Sequence, residues 1–346
     1  MTEGLLLSRE EIVRSHDYVR PHVEAGYRLH GGYVATGEYR SPRTLVRGPA
    51  VERWAEALVG NGGELIDVSR SILPTPIWPN LQQSRLLMEK GLDRTLWNLL
   101  TATGIVEARG GILRTVAAPD FQSIVVEDLG ATVTGHLNKG LLWAHGVDEA
   151  GDPNQPEEGA HDFMWFAVRD MVFEKGIYPV PEIGTVARRA VHREMPEIPA
   201  THENFLKLLM NALIIEVRAE SLFDHVQKLL SDPDLFLYRR QDTEHAVEIV
   251  DRIRLDESIH VRYLQVFLSE LRSFSFCCED GAVKKGAEFI DSVWQRARSF
   301  VQPERDEKMF ASIKLEAEHK LTPSEARSLL ERFNALESGS MMSAKK

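Results

Sequence analysis

Two Glu-x-x-His pairs, Glu158/His161 and Glu257/His260, each follow another carboxylate within stretches of helical, largely apolar pattern. On a helix, an i, i+3 spacing puts both side chains on one face, so one helix offers an oxygen and a nitrogen to the same point. Carboxylates and imidazoles carried into an apolar bundle are costly to desolvate unless something binds them. The chain must therefore fold so that several helices bring these side chains to a common buried place.

The candidate ligands occur in the order Glu127, Glu158-x-x-His161, Glu216, Glu257-x-x-His260. Bundles that hold two metal ions use one such pair on each of two helices and one further Glu on each of two others. Periodicity predicts helices over about 121–144, 158–174, 201–230 and 242–274. A loop rich in Gly, Asp, Pro and Glu is expected at 146–157, with a proline-punctuated connection at 176–200. The centre of the third helix, FLKLLMNALIIEV, is apolar nearly all round and is expected to be buried on every side.

If the third and fourth helices form an antiparallel hairpin about the turn at 231–234, Glu216 and Glu257 lie equally far from the turn and meet at one level. Glu220 would face residue 253 instead, so it is expected to support the ligands rather than to be one. Glu127 fits less well. In an uninterrupted helix it would stand roughly 25 Å from the level of Glu158. Either the first helix breaks at Gly130, Gly135 or Gly140, or the second starts earlier, or His136, His145, Asp128 or Glu174 takes the place of Glu127. A third pair, Glu316/His319, sits in the polar run IKLEAEHKL and is assigned to solvent. Trp165 and Tyr263 are read as core aromatics near the site, Arg218 and Arg254 as surface ion pairs or supports for the ligand carboxylates, and His192, His202, His225 and His245 as structural.

Around this centre, residues 1–115 read as a helical region of short helices and turns that scaffolds or covers the core, with the best helical stretch at 81–107. Residues 116–300 read as the metal-binding bundle. Residues 301–346 read as C-terminal helices, the last starting near Pro323 after the Thr322 cap, followed by a disordered tail from Glu337. The fold class expected is all-α.

Net charge of -11 and a pI near 5.6 speak against nucleic acid or an anionic membrane surface as partner. No apolar run reaches membrane-spanning length, and the start lacks the features of a signal peptide. The adjacent Cys277 and Cys278 offer no disulfide framework. A cytoplasmic protein is expected.

On Glu127, Glu158/His161, Glu216, Glu257/His260 and the phrase RIRLDESIHVRYL, residues of about 120–275 resemble the ferritin-like superfamily of helical-bundle dimetal carboxylate proteins. The resemblance implies two iron ions, with manganese as the other option, and O2 activation for oxidation or oxygenation of a small organic substrate. Without a flavin or NAD fingerprint, electrons would come from a donor protein or the substrate; a homodimer is expected. The chain also resembles haem-oxygenase-like di-iron oxidases, which would draw on Glu158, His161, Glu216, Asp256 and His260. The two other function classes are an iron-handling protein and a metal-free helical interaction module.

Overall fold

The computed structural model describes residues 4–73, 77–183, 193–299 and 307–343. A short helix α1 (Arg9–Ile12) leads into an antiparallel sheet of β1 (Arg20–Glu24), β2 (Tyr27–Tyr33) and β3 (Tyr39–Arg40), in that spatial order. Helices α2 (Arg47–Gly60), α3 (Leu81–Glu89), α4 (Arg94–Gly110), α5 (Val133–His136), α6 (Leu142–Ala150) and α7 (His161–Val172) follow. The long helices α8 (Ala200–Leu230) and α9 (Arg240–Ser273) come next, then a small hairpin of β4 (Ser275–Cys277) and β5 (Val283–Lys285). The chain ends with α10 (Ala287–Ser299), α11 (Glu307–Lys320) and α12 (Pro323–Ser343). The molecule is mostly helical. Among the described residues, no helix is long and apolar enough to cross a membrane.

The antiparallel pair α8 and α9 is the axis of the molecule, with α7 packed against α9 and α4 against α7. At 31 and 34 residues the two helices are each roughly 45–50 Å long. Their apolar faces form two separate cores. One takes Phe205–Val217 positions of α8 and Tyr263–Leu271 positions of α9, with α2 and α10 against them. The other takes Phe223–Leu230 and Ala246–Ile253 positions, with α4 and α7. Each fully buried Leu, Ile, Val or Phe adds about 1.5–3 kcal/mol, so both clusters hold the helices firmly. Between them, at the level of Glu216 and Asp256–His260, the core turns polar.

Several elements differ from the sequence-based expectation. The single helix expected at 121–144 is instead a 3-10 turn at Phe121–Ser123, the four-residue α5, and a π turn at Leu137–Leu141 that Gly140 passes with φ of 124°. The short α5 survives because the Glu270 carboxylate of α9 accepts from the amides of Val133 and Thr134, both at 2.9 Å. The true helix, α6, begins where the predicted one ends and occupies positions read as loop. Residues 81–107 form two helices, parted at Gly91 with φ of 68°. Residues 1–115 contain the sheet as well as helices, and β2 docks on the entry to α7 by paired bonds, His30 amide to Gly159 carbonyl at 2.7 Å and Gly159 amide to Arg28 carbonyl at 2.9 Å. Helix α12 begins at Pro323 as expected but continues to Ser343, through most of the tail read as disordered.

Helices α4 and α7 approach closely at Gly104, where an added Cβ would stand 2.6 Å from Phe166 Cε1 and 2.8 Å from the Asp162 carbonyl oxygen. Gly104→Val therefore overpacks this contact and is expected to cost about 1–3 kcal/mol in urea unfolding. Gly60→Ala, with nothing within 4 Å of the added carbon, is the control and should be neutral or stabilising. Equal stabilities of the two variants would refute the close-packing account.

Candidate metal centre

Four helices supply the polar layer between the two cores. Helix α6 contributes His145, Asp148 and Glu149, the start of α7 contributes His161, α8 contributes Glu216, and α9 contributes Asp256, Glu257 and His260. All are buried, and His161 and His260 have no exposed surface. Two four-residue groups that could hold a metal ion result: His145, Glu149, Glu216 and His260, and Glu149, His161, Glu257 and His260. They share Glu149 and His260, so the two positions adjoin.

Within the groups, His161 Nδ1 lies 2.7 Å from Glu257 Oε1 and 3.5 Å from Glu149 Oε1. His260 Nδ1 lies 2.6 Å from Glu257 Oε2 and 3.1 Å from Glu149 Oε1, while His145 Nε2 lies 3.1 Å from Glu216 Oε1. Yet Glu149 Oε1, His161 Nδ1 and Glu257 Oε1 have no hydrogen-bond partner: they are close but not aligned for one. Buried polar atoms are rarely left in that state, because each costs about 1–3 kcal/mol. Converging, unpaired oxygen and nitrogen donors fit a cation.

Each imidazole is held from behind by its other nitrogen. His260 Nε2 meets Asp148 Oδ2 at 3.2 Å, His161 Nε2 meets Asp256 Oδ2 at 3.3 Å, and His145 Nδ1 meets the Tyr263 hydroxyl at 2.8 Å. Such outer partners fix ring orientation and raise the basicity of the nitrogen that faces the metal. Asp148 is gripped by Arg43 and the fully buried Arg47, and Asp256 accepts from Ser41 and from Tyr39 at 3.3 Å. His30 of β2 reaches Asp256 at 3.4 Å, and His30, His161 and Asp256 form a third group that could hold an ion. Glu107 of α4 stands beside Glu149, close enough for the Glu149 charge to raise its proton affinity. Gly110 permits it: a Cβ there would stand 2.6 Å from Glu149 Cγ.

The charges compensate by proton placement. Burial, reinforced by the Glu257 and Glu149 charges, pushes the Glu216 carboxyl well up, and burial with Glu149 does the same to Glu107. Burial works against the charged form of His161 and His260 as well, but the Glu257 carboxylate beside them prevails and holds both well above the usual histidine range. Burial and the His260 ring stacked on it at 3.9 Å drive His145 down to about 3. Protons thus stand at the places where cations would bind.

Of the residues singled out in the sequence, the fold brings together His161, Glu216, Glu257 and His260, with Asp256 directly behind His161, and adds His145, one of the alternatives to Glu127. Glu127 is not among them. It lies in the irregular segment before α5, where its carboxylate accepts from the Ser275 amide at 2.8 Å and pairs with Lys285. Glu158 precedes α7 rather than sitting inside it, and pairs with Arg28 at 3.0 Å. Glu220 pairs with Arg70 and Arg254, so Arg254 serves Glu220 and Asp251 rather than the clustered carboxylates; Arg218 is exposed. Glu316 is buried and bonded to Lys320 at 2.9 Å, not solvated, while its neighbour His319 is exposed. His136, His202 and His225 bond to Leu7, Asp120 and Ser84, and His245 pairs with Glu24; His192 lies outside the described residues.

Glu149, Glu107, Asp148, His30, Arg43 and Arg47 were missed. The signal for Glu149 was its i, i+4 spacing from His145, hidden because residues from Gly146 onward read as loop. No protein-family model, curated protein or solved structure matches this chain.

Divalent metal should raise the melting temperature, and chelation should lower it; stabilisation at a hundredfold excess over Kd is about 2.7 kcal/mol. Binding must expel protons from His161, His260 and Glu216, all with raised proton affinity, so the metal-induced shift should be large at pH 8 and fade on acidification through the raised histidine range. Thermal melts with and without Mn(II) at pH 8 and pH 5.5 test this; a shift that grows toward acid would contradict it. Glu149→Ala, which removes a member of both groups, should abolish the shift.

Proposed function

We propose that this protein is a dimetal oxidoreductase that uses O2 to oxidise or oxygenate a small organic substrate. Two ions, iron or manganese, would be held by His145, Glu149, His161, Glu216, Glu257 and His260, with Glu149 and His260 at the junction. The observation that carries the reading is the convergence of Glu149 Oε1, His161 Nδ1 and Glu257 Oε1, buried, close and without hydrogen bonds. An all carboxylate and imidazole donor set without thiolate suits iron or manganese better than a structural zinc. Bound there, such ions supply redox capacity and open positions for O2.

The chain's own residues do the rest. Asp148, clamped by Arg43 and Arg47, orients His260; Asp256, clamped by Ser41 and Tyr39 with His30 beside it, orients His161. On this reading the His30 group serves as support, and Asp256 is not a ligand. Glu107 holds a proton beside Glu149 and can return it there. The two apolar cores keep bulk water from the layer above and below. On this reading the centre would be of the carboxylate- and histidine-bearing kind that the ferritin-like resemblance implies, with Glu149 rather than Glu127 on the early helix. A metal-free interaction module would gain nothing from Glu149, Glu216 and Glu257 buried together, since desolvating clustered charges is costly even where they are paired.

Elemental analysis of protein expressed with iron should find two ions per chain, and anaerobic Fe(II) loading followed by O2 should produce a new near-ultraviolet absorption. Glu216→Ala should lose metal and that absorption, whereas Glu127→Ala should keep both. Wild type that retains no transition metal would refute the proposal.

A further inference from the structure

A cavity of about 340 Å³ opens between α8 and α9, and Glu216 and Glu257 of the polar layer stand on its wall. That is within the size range of small-ligand sites. Val217, Phe223 and Val261 give it apolar sides, and Arg70, Glu220, Arg254 and Arg262 also line it. Arg70 lies 2.7 Å from Glu220 and 3.6 Å from Asp224, which Lys228 also holds at 2.7 Å. Arg254 lies 2.9 Å from Glu220 and 3.5 Å from Asp251, while Arg262 donates to both oxygens of Glu52, at 2.9 and 2.7 Å. Arg70, Lys228, Arg254 and Arg262 are thus matched one for one by Glu52, Glu220, Asp224 and Asp251. Two further polar lining residues are engaged as well: Ser258 donates to the Leu255 carbonyl at 2.6 Å, and Gln265 donates to the Ile66 carbonyl at 2.7 Å.

Resting on the dimetal reading, we infer that this cavity is the substrate site and that it takes an uncharged molecule with an apolar body. An acid finds no free cation there, because to engage Arg70 or Arg254 it must displace the carboxylates that already hold them. An amine meets the converse: with Glu216 and Glu257 engaged by the ions, Glu52, Glu220, Asp224 and Asp251 each have a basic partner already. Either charged group would also give up hydration beside Val217, Phe223 and Val261 without a counter-ion in return, which is costly. An uncharged body breaks no ion pair and displaces water from apolar walls, which is favourable. Because Glu216 and Glu257 form part of the wall, a molecule that fills the cavity lies against the metal ligands.

Anaerobic calorimetry on the Fe(II)-loaded protein at pH 8 tests the assignment with matched alcohols, acids and amines: benzyl alcohol, benzoate and benzylamine, and likewise the cyclohexylmethyl and hexyl series. At least one alcohol should bind about tenfold or more tightly than both its acid and its amine, with little dependence on salt. Glu220→Gln, which leaves one guanidinium charge unmatched, should draw the acid's affinity toward the alcohol's while the amine gains nothing. Ser258→Trp, which fills the cavity rim from an exposed position, should abolish binding of the alcohol. Both variants should keep the wild-type metal content. In Mn(II)-loaded protein the bound alcohol's proton resonances should broaden beyond those in metal-free protein, as a ligand beside Glu216 and Glu257 must. The inference is overturned if no alcohol binds better than its acid and amine, if Glu220→Gln leaves the acid as weak as before, if Ser258→Trp binds as wild type does, or if Mn(II) causes no broadening. An alcohol preference that Ser258→Trp removes, in protein that retains no metal, would uphold the cavity assignment and sink the dimetal reading alone; bound metal without that preference would do the reverse.

Discussion

Burying several carboxylates at one level of a helical bundle is the condition that organises this molecule. Two unit charges 4 Å apart interact by about 4 kcal/mol at the effective dielectric of a protein's outer layers, and by more in its interior. Asp148, Glu149, Glu216, Asp256 and Glu257 are all buried together. The outer pair is balanced locally: Arg43 and Arg47 hold Asp148 well below the usual carboxylate range, and His161 and His30 do the same for Asp256, each against the opposing effect of burial. The inner three have no such fixed partners. They depend on imidazolium protons and on a protonated Glu216, or on cations in their place. The division into a satisfied outer ring and an unsatisfied centre gives the site its chemical character.

Everything around the centre bears on that condition. The apolar clusters on either side fix α8 and α9 against each other, so Glu216 and Glu257 cannot drift apart to seek water. Gly104 and Gly110 let α4 come close enough to bring Glu107 to Glu149. The sheet plugs the layer from one side: its bridge to Gly159 places His30 near His161 with ring centroids 5.3 Å apart, and the chain after β3 delivers Ser41, Arg43 and Arg47. Residues that read as a scaffold thus supply most of the fixed counter-charge.

The α8–α9 half of the centre was legible in the sequence because long helices of strong period leave little freedom. Once the turn at 231–234 was recognised, Glu216 and Glu257 had to meet, and they do meet. Of the first half only His161 and, as an alternative to Glu127, His145 were legible, and the reason is local. A helix as short as α6, nine residues after a π turn, carries too few repeats to stand out from Gly146, Asp148 and Gly151. Those small and polar residues resemble loop chemistry, yet Gly146 is there for the close pass of Arg114, whose amide lies 2.6 Å from where a Cβ would be. The sheet was hidden likewise. Gly31 and Gly32 have the composition of a turn but sit inside β2, where β1 shifts register between Pro21 and His22. Strands of that length, partly closed by helices, show no clean alternation. Glu-x-x-His spacing also misled at Glu158, since α7 begins only at His161 and a spacing rule needs a helix beneath it.

The centre is consequently two-sided. Toward the sheet, each oxygen of Asp148 and Asp256 is occupied, and Tyr39, Ser41, Arg43 and Arg47 leave no room for exchange. Toward the α8–α9 groove, Glu216 and Glu257 stand at the wall of a cavity, and burial and its charged neighbours drive Glu216 toward the neutral form. On the dimetal reading, rigidity on one face and a cavity on the other would place ligand exchange at the α8–α9 side, while the imidazoles are braced from behind by Asp148, Asp256 and Tyr263.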